Sequence, residues 1–139
     1  MNKILIDTNI IIDVMAERSP HFTDSLSVLE SIFLERTVGY ITSSTITDIF
    51  YIINKKMKNS ESAKQSIGKL LEIIDVLNVT KDDIISALAS KMDDFENSVL
   101  ASCGVRNNID FIVSRNKKDF KNSPIQTLTP TEYLRELQY

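Results

Sequence analysis

Short apolar runs alternate along this chain with longer stretches in which apolar residues return every three or four positions. Lys3-Ile4-Leu5-Ile6 is a compact apolar run closed by Asp7, the pattern of a strand buried on both faces. Thr8 or Asn9 is placed to cap a helix running to Met15, and Ser19-Pro20 restarts the chain as a second helix. That helix carries Phe22, Leu26, Leu29, Ile32 and Phe33 at helical spacing, which predicts one buried stripe. Gly39 is expected to stop it, with Tyr40-Ile41-Thr42 as a second strand. Ile46, Ile49, Phe50 and Ile53 give the stretch from Ser44 to Lys56 a helical period. Ser60 or Ser62 opens the next helix in a capping pattern, and Val76-Leu77-Asn78-Val79 reads as a third strand. Helices starting near Lys81 and Asp94 follow, then the strands "DFIVS" and "IQTL", then a helix opened by Pro130. Strands alternating with helices predict a parallel sheet covered on both faces, whose ligands gather at the carboxyl ends of the strands.

Bulk composition narrows the class. The chain has 139 residues, enough for one domain with a full core, and we expect a single domain over 1–139. Its 42% hydrophobic and 25% charged content is ordinary for a globular fold, and no apolar run approaches the roughly 20 residues of a membrane helix. A net charge of −3 excludes a generic basic nucleic-acid binder, so a polyanionic substrate needs a cation or a local basic patch. Cys103 is the only cysteine and can form no internal disulfide. With Met1-Asn2-Lys3 running straight into an apolar strand, it points to a reducing, cytoplasmic setting without a leader.

The predicted scheme puts four polar clusters at strand ends and helix starts. Asp7 follows the first strand, and Asp48 lies one turn into the helix after the second. Asp93, Asp94, Glu96 and Asn97 open a late helix, while Ser114, Asn116 and Asp119 follow "DFIV". Taken singly, each has an ordinary role: Asp7 as a helix cap, Asp48 as a solvated face residue, Asp93 and Asp94 as first-turn acids, Asp119 as a loop residue. Together they would repel unless divalent cations filled the gap. Oxygen ligands suit Mg²⁺ or Mn²⁺, and one His and one Cys are too few for a zinc cage.

"LIDTNIIIDV", "SSTITDIFY", "DDFENSVLASCG" and "DFIVSRNKKDF" followed by "TPTEYL" make the chain resemble the PIN-domain ribonucleases, in the branch of VapC-like toxins of bacterial toxin–antitoxin pairs. The resemblance implies an α/β/α three-layer sandwich around a short, mainly parallel sheet. It also implies metal-dependent endoribonuclease activity on RNA, with Mg²⁺ or Mn²⁺ as cofactor. An antitoxin is the implied partner, and a homodimer a further possibility. Residue by residue, Asp7 matches the first metal-binding aspartate. Asp48 stands where glutamate is usual, Asn97 where a third acid is usual, and Asp119 at the fourth. The implied catalytic set is Asp7, Asp48, Asp94, Asn97 and Asp119, with Asp94 and Asp93 on one helical face with Asn97 and Glu96 rotated about 100° away. Asn9, Ser114 and Asn116 are candidates to hydrogen-bond to the ligating groups, loop capping being the alternative for the last two. Arg115 and Lys118 flank Asp119 as candidate phosphate contacts.

Asn97 also opens a rival reading, a catalytically silent PIN-like module that binds RNA or a partner protein. A haloacid-dehalogenase-like phosphatase would need a second aspartate at position 9, which is Asn. A receiver domain would need paired acids where Asp7 stands alone. Tyr51, on the Asp48 helix, either faces the site or packs. Cys103 falls on an apolar stretch and is expected in the core.

Overall fold

The structure is a computed structural model and describes residues 1–137. Among the described residues five strands form one sheet: β1 Lys3–Ile6, β2 Val38–Thr42, β3 Asp75–Leu77, β4 Phe111–Val113 and β5 Thr127–Leu128. Every pairing is parallel and the order is β3-β2-β1-β4-β5. The described residues form seven helices, α1 Thr8–Met15, α2 Phe22–Phe33, α3 Ser43–Met57, α4 Ser60–Leu71, α5 Lys81–Leu88, α6 Phe95–Arg106 and α7 Pro130–Glu136. A 3₁₀ turn spans Lys117–Phe120.

The two-residue period of the strands sorts their side chains between two cores. Ile4, Ile6, Ile41, Val113 and Leu128 join residues of α1, α2, α3, α4 and α7 on one face. Leu5 and Ile112 join Met92, Leu100, Ala101 and Phe120 on the other, under α6 and the 3₁₀ turn. This is the three-layer α/β/α sandwich expected from the alternation. The chain winds outward from β1 to β3, then returns through α5 and α6 to lay β4 on the other side of β1. Direction therefore reverses between β1 and β4, and crevices form at such points beyond the strand ends.

Four local expectations differ from the structure. The first is the start of α1, which takes Asp7, not Thr8 or Asn9, as its N-cap residue. Gly39 does not end α2, which stops at Phe33; it lies inside β2. A Cβ there would stand 2.8 Å from Ile32 Cγ1 and closer still to Cδ1, so the glycine exists to let α2 pack on the sheet. The cap of α4 is Asn59, whose side chain accepts from the Ser62 N–H, rather than Ser60 or Ser62. The third strand is Asp75–Leu77, offset from 76–79 because it pairs with Tyr40–Thr42 of β2.

Candidate active site

Asp7 leaves the end of β1 with its N–H bonded to the Val113 carbonyl at 3.0 Å, the last rung between β1 and β4. It occupies the N-cap position of α1, yet its side chain makes no cap hydrogen bond. One carboxylate oxygen instead accepts from Ser114 Oγ at 2.8 Å. Ser114 is fully buried and receives the Asn116 N–H at 3.1 Å, so the loop after β4 fixes the rotamer of Asp7 across the switch point. Burial pushes the Asp7 carboxyl above its usual value. The Ser114 hydroxyl and Arg115 partly offset this, and Asp119 adds to it.

A run of hydroxyls joins the neighbouring strand. Thr8 donates to Thr45 Oγ at 3.3 Å, and Thr42 lies 3.1 Å from Thr45 and 2.9 Å from Ser44. These contacts tie the first turn of α3 to the start of α1, which brings Asp48 over the same crevice. From the opposite side comes α6. Asp94 is its N-cap and accepts the Asn97 N–H at 2.8 Å, leaving it outside the helix proper. The Asn97 side chain donates to the Asp119 carbonyl at 3.4 Å, binding α6 to the 3₁₀ turn.

The result is a cleft of about 450 Å³ whose lining includes Asp7, Asn9, Asp48, Asp94, Glu96, Asn97, Asn116 and Asp119. Glu96 is the residue that sequence reasoning turned away. α6 begins at Phe95 behind its Asp94 cap, and Glu96 and Asn97, about 100° apart on the helix, both line the cleft. The Glu96 carboxyl is raised by burial first, then by the Asp48 charge and a hydrogen bond shared with Asp48, and further by Asp94 and Asp7. Carboxyls crowded in this way mark uncompensated negative charge, the condition a hard cation relieves. Among the described residues no three His, Cys, Asp or Glu side chains close into a ready cage; the acids line the cleft around open space.

Other expected site residues have different roles. Arg115 does not face the cleft: its Nε donates to Asp13 at 2.9 Å and its Nη2 at 3.3 Å. Asp13 is fully buried and also meets Arg18 Nε at 3.1 Å and Ser25 Oγ at 3.1 Å. Arg115 is thus committed to a buried ion cluster beneath the site. Asn9 accepts from Arg18 Nη2 at 3.4 Å while lining the cleft. Asp93 is exposed and outside the lining. Lys118 is exposed and forms no ion pair among the described residues, whereas Lys117 pairs with Glu132 at 3.1 Å. Cys103 is buried, as expected for core, and burial pushes its thiol up to about 11, so it is no nucleophile.

The PIN-domain family profile matches residues 3–118. The chain belongs to the PIN-domain family. This PIN domain is 22% identical to Ribonuclease VapC1 of Aquifex aeolicus over 136 residues, covering 94% of the chain and 92% of that protein. Its fold superposes on VapBC2 from Rickettsia felis, solved with a DNA fragment from the promoter, with a TM-score of 0.69 at 15% identity, covering 91% of this chain and 98% of that one. Mycobacterium tuberculosis VapC20, described as a toxin cleaving the sarcin-ricin loop, matches with a TM-score of 0.62 at 14% identity over 78% and 86% of the two chains. At such identities the solved structures attest the fold, and the PIN cleft lies where β1 and β4 part.

Proposed function

We propose that this PIN domain is a divalent-metal-dependent endoribonuclease and the toxin of a toxin–antitoxin pair. The observation that carries the reading is one cleft to which four separate elements contribute Asp7, Asp48, Glu96 and Asp119, with the Asp7 and Glu96 carboxyls raised by burial and by neighbouring acids. The donor chemistry fits Mg²⁺ or Mn²⁺, hard ions that take one or two carboxylates and fill their remaining positions with water and substrate phosphate. When bound, such an ion supplies an activated water and neutralises charge on the departing oxygen.

The chain's own residues do the placing. Ser114 holds the Asp7 carboxylate toward the cleft, and the Asn116 N–H holds Ser114. Asp48 and Glu96 face each other from α3 and α6 as a second pair of oxygen donors, and Asn97 positions the turn that carries Asp119. Lys118 is the exposed cation beside Asp119 available to a phosphate. Glu96 supplies the negative charge that Asn97 lacks, which favours a working nuclease over the silent module. RNA is the substrate, and a cognate antitoxin protein and a second copy of the chain are the protein partners. No helix among the described residues is long and apolar enough to cross a membrane, and the reading places the protein in the cytoplasm with its RNA.

The test is cleavage of a mixed RNA pool with Mg²⁺ or Mn²⁺. The parent chain should cut and leave 5′-phosphate and 3′-hydroxyl ends; chelation should stop it. Asp7→Asn should abolish cutting while the thermal transition stays or rises. Cleavage that survives chelation, or products ending in 2′,3′-cyclic phosphate, would refute the proposal.

A further inference from the structure

Tyr51 and Ile52 of α3 are the two large apolar residues in an otherwise polar and acidic cleft. Tyr51 is 70% exposed, so its ring contributes little to the core. It lies three residues after Asp48 and therefore on the same helical face, with Cβ atoms about 5–6 Å apart. The half-buried Phe50 meets it edge-on, centroids 5.8 Å apart and planes at 75°, which steadies the ring from the core side.

Resting on the endoribonuclease reading, we infer that Tyr51 is a stacking platform for an unpaired nucleobase next to the scissile phosphate. The acids of the cleft repel phosphates, whereas a nucleobase is neutral and can approach the rim freely. A base held on Tyr51 anchors the strand beside Asp48 and lets the adjoining phosphate settle over the carboxylates. Lys55, one turn further along α3, is exposed and forms no ion pair among the described residues, so it takes the next phosphate. A duplex keeps its bases stacked inside, while single strands and loops can splay one onto an aromatic ring. Every base has a π-face, so this platform is indifferent to sequence.

The experiment measures binding in the Asp7→Asn background with Mg²⁺, so that RNA stays intact. The probes are labelled oligouridine and an abasic ribose-phosphate oligomer of equal length. Tyr51→Ala should weaken oligouridine binding roughly tenfold, within the range for base–aromatic stacking, and Tyr51→Phe should restore it. The abasic oligomer should bind the Tyr51→Ala and Tyr51 proteins alike. Phe33→Ala, which removes an exposed ring on α2, should change nothing. Equal loss on both probes overturns the inference, as does a Tyr51→Ala protein whose mass by light scattering shows a lost subunit contact. If the parent chain cuts RNA yet Tyr51→Ala binds oligouridine unchanged, the platform alone is refuted. If the parent neither binds nor cuts RNA, the ribonuclease reading falls and the platform with it.

Discussion

Replacing Asp13 with asparagine should cost this protein about 3 kcal/mol although Asp13 is not among the residues lining the cleft. Asp13 is fully buried on α1 and holds Arg115 in a two-pronged contact, with Arg18 Nε and Ser25 Oγ at 3.1 Å each. Removing one partner of a buried ion pair costs about 3–5 kcal/mol because the other charge is left behind. Two features keep the loss at the low end. The Arg18 and Arg115 side chains are 39% and 22% exposed and can rehydrate in part, and the isosteric asparagine still accepts from Ser25. With about 2.1 cal/mol/K of unfolding entropy per residue, a 139-residue chain should lose about 10 °C in Tm. At an m-value of about 2 kcal/mol/M the urea midpoint should fall by about 1.5 M. Calorimetry and urea titration at neutral pH measure both. Arg115→Gln should destabilise similarly, and the double variant should lose less than the sum because the pair is already broken. Activity should fall as well, since Arg115 sits between Ser114 and Asn116 in the loop that orients Asp7. A loss below about 1 kcal/mol would refute this account. So would an Arg115→Gln protein of unchanged stability with weakened RNA binding, which would return Arg115 to the substrate.

Glu96→Gln should abolish or cripple cleavage yet raise metal-free stability by up to about 0.5 kcal/mol at neutral pH, a small gain because the side chain is exposed. Its carboxyl is raised in the folded state, so the penalty for ionising it sets in as pH rises past the usual 4.5; urea curves of the two proteins should converge below that pH. Asn97→Asp would set a carboxylate against the Asp119 carbonyl, so the metal-free protein should be less stable and recover with Mn²⁺. Calorimetric Mn²⁺ titrations identical for both proteins would refute that placement. Asp83 is held below its usual 3.8 by the Arg106 guanidinium, at 2.9 and 3.0 Å, and by the Thr80 cap. Its stabilisation is present above that value and lost as pH falls through the lower folded one. Asp83→Asn should therefore melt lower at pH 7, with the gap closing below about pH 4.

Periodicity and short motifs carried a large part of this protein to the reader of the sequence. Apolar runs with period two and stripes with period near 3.6 are local consequences of backbone geometry, so the order of strands and helices and the parallel sheet were legible. The polar groups at strand ends and helix starts were legible too, because Asp7, Asp48, Asn97 and Asp119 each follow a local signal. Helix ends were not. With three glycines in the chain, left-handed residues such as Glu35, Lys58 and Asn108 follow or end helices, at a cost that only surrounding packing offsets. Gly39 was misread for the same reason: its use comes from Ile32 of α2, far from it in any local window. Charge was the other blind spot. Asp13 and Arg115 stand 102 positions apart, and nothing in either neighbourhood says that one neutralises the other. Glu96 likewise reached the cleft only through the approach of α3 and α6 in space. Coulombic partners are chosen by distance in space, and burial sets their strength. Local pattern thus determined the elements and their chemistry, while tertiary packing decided which acids face the cleft and which charges are spent holding it open.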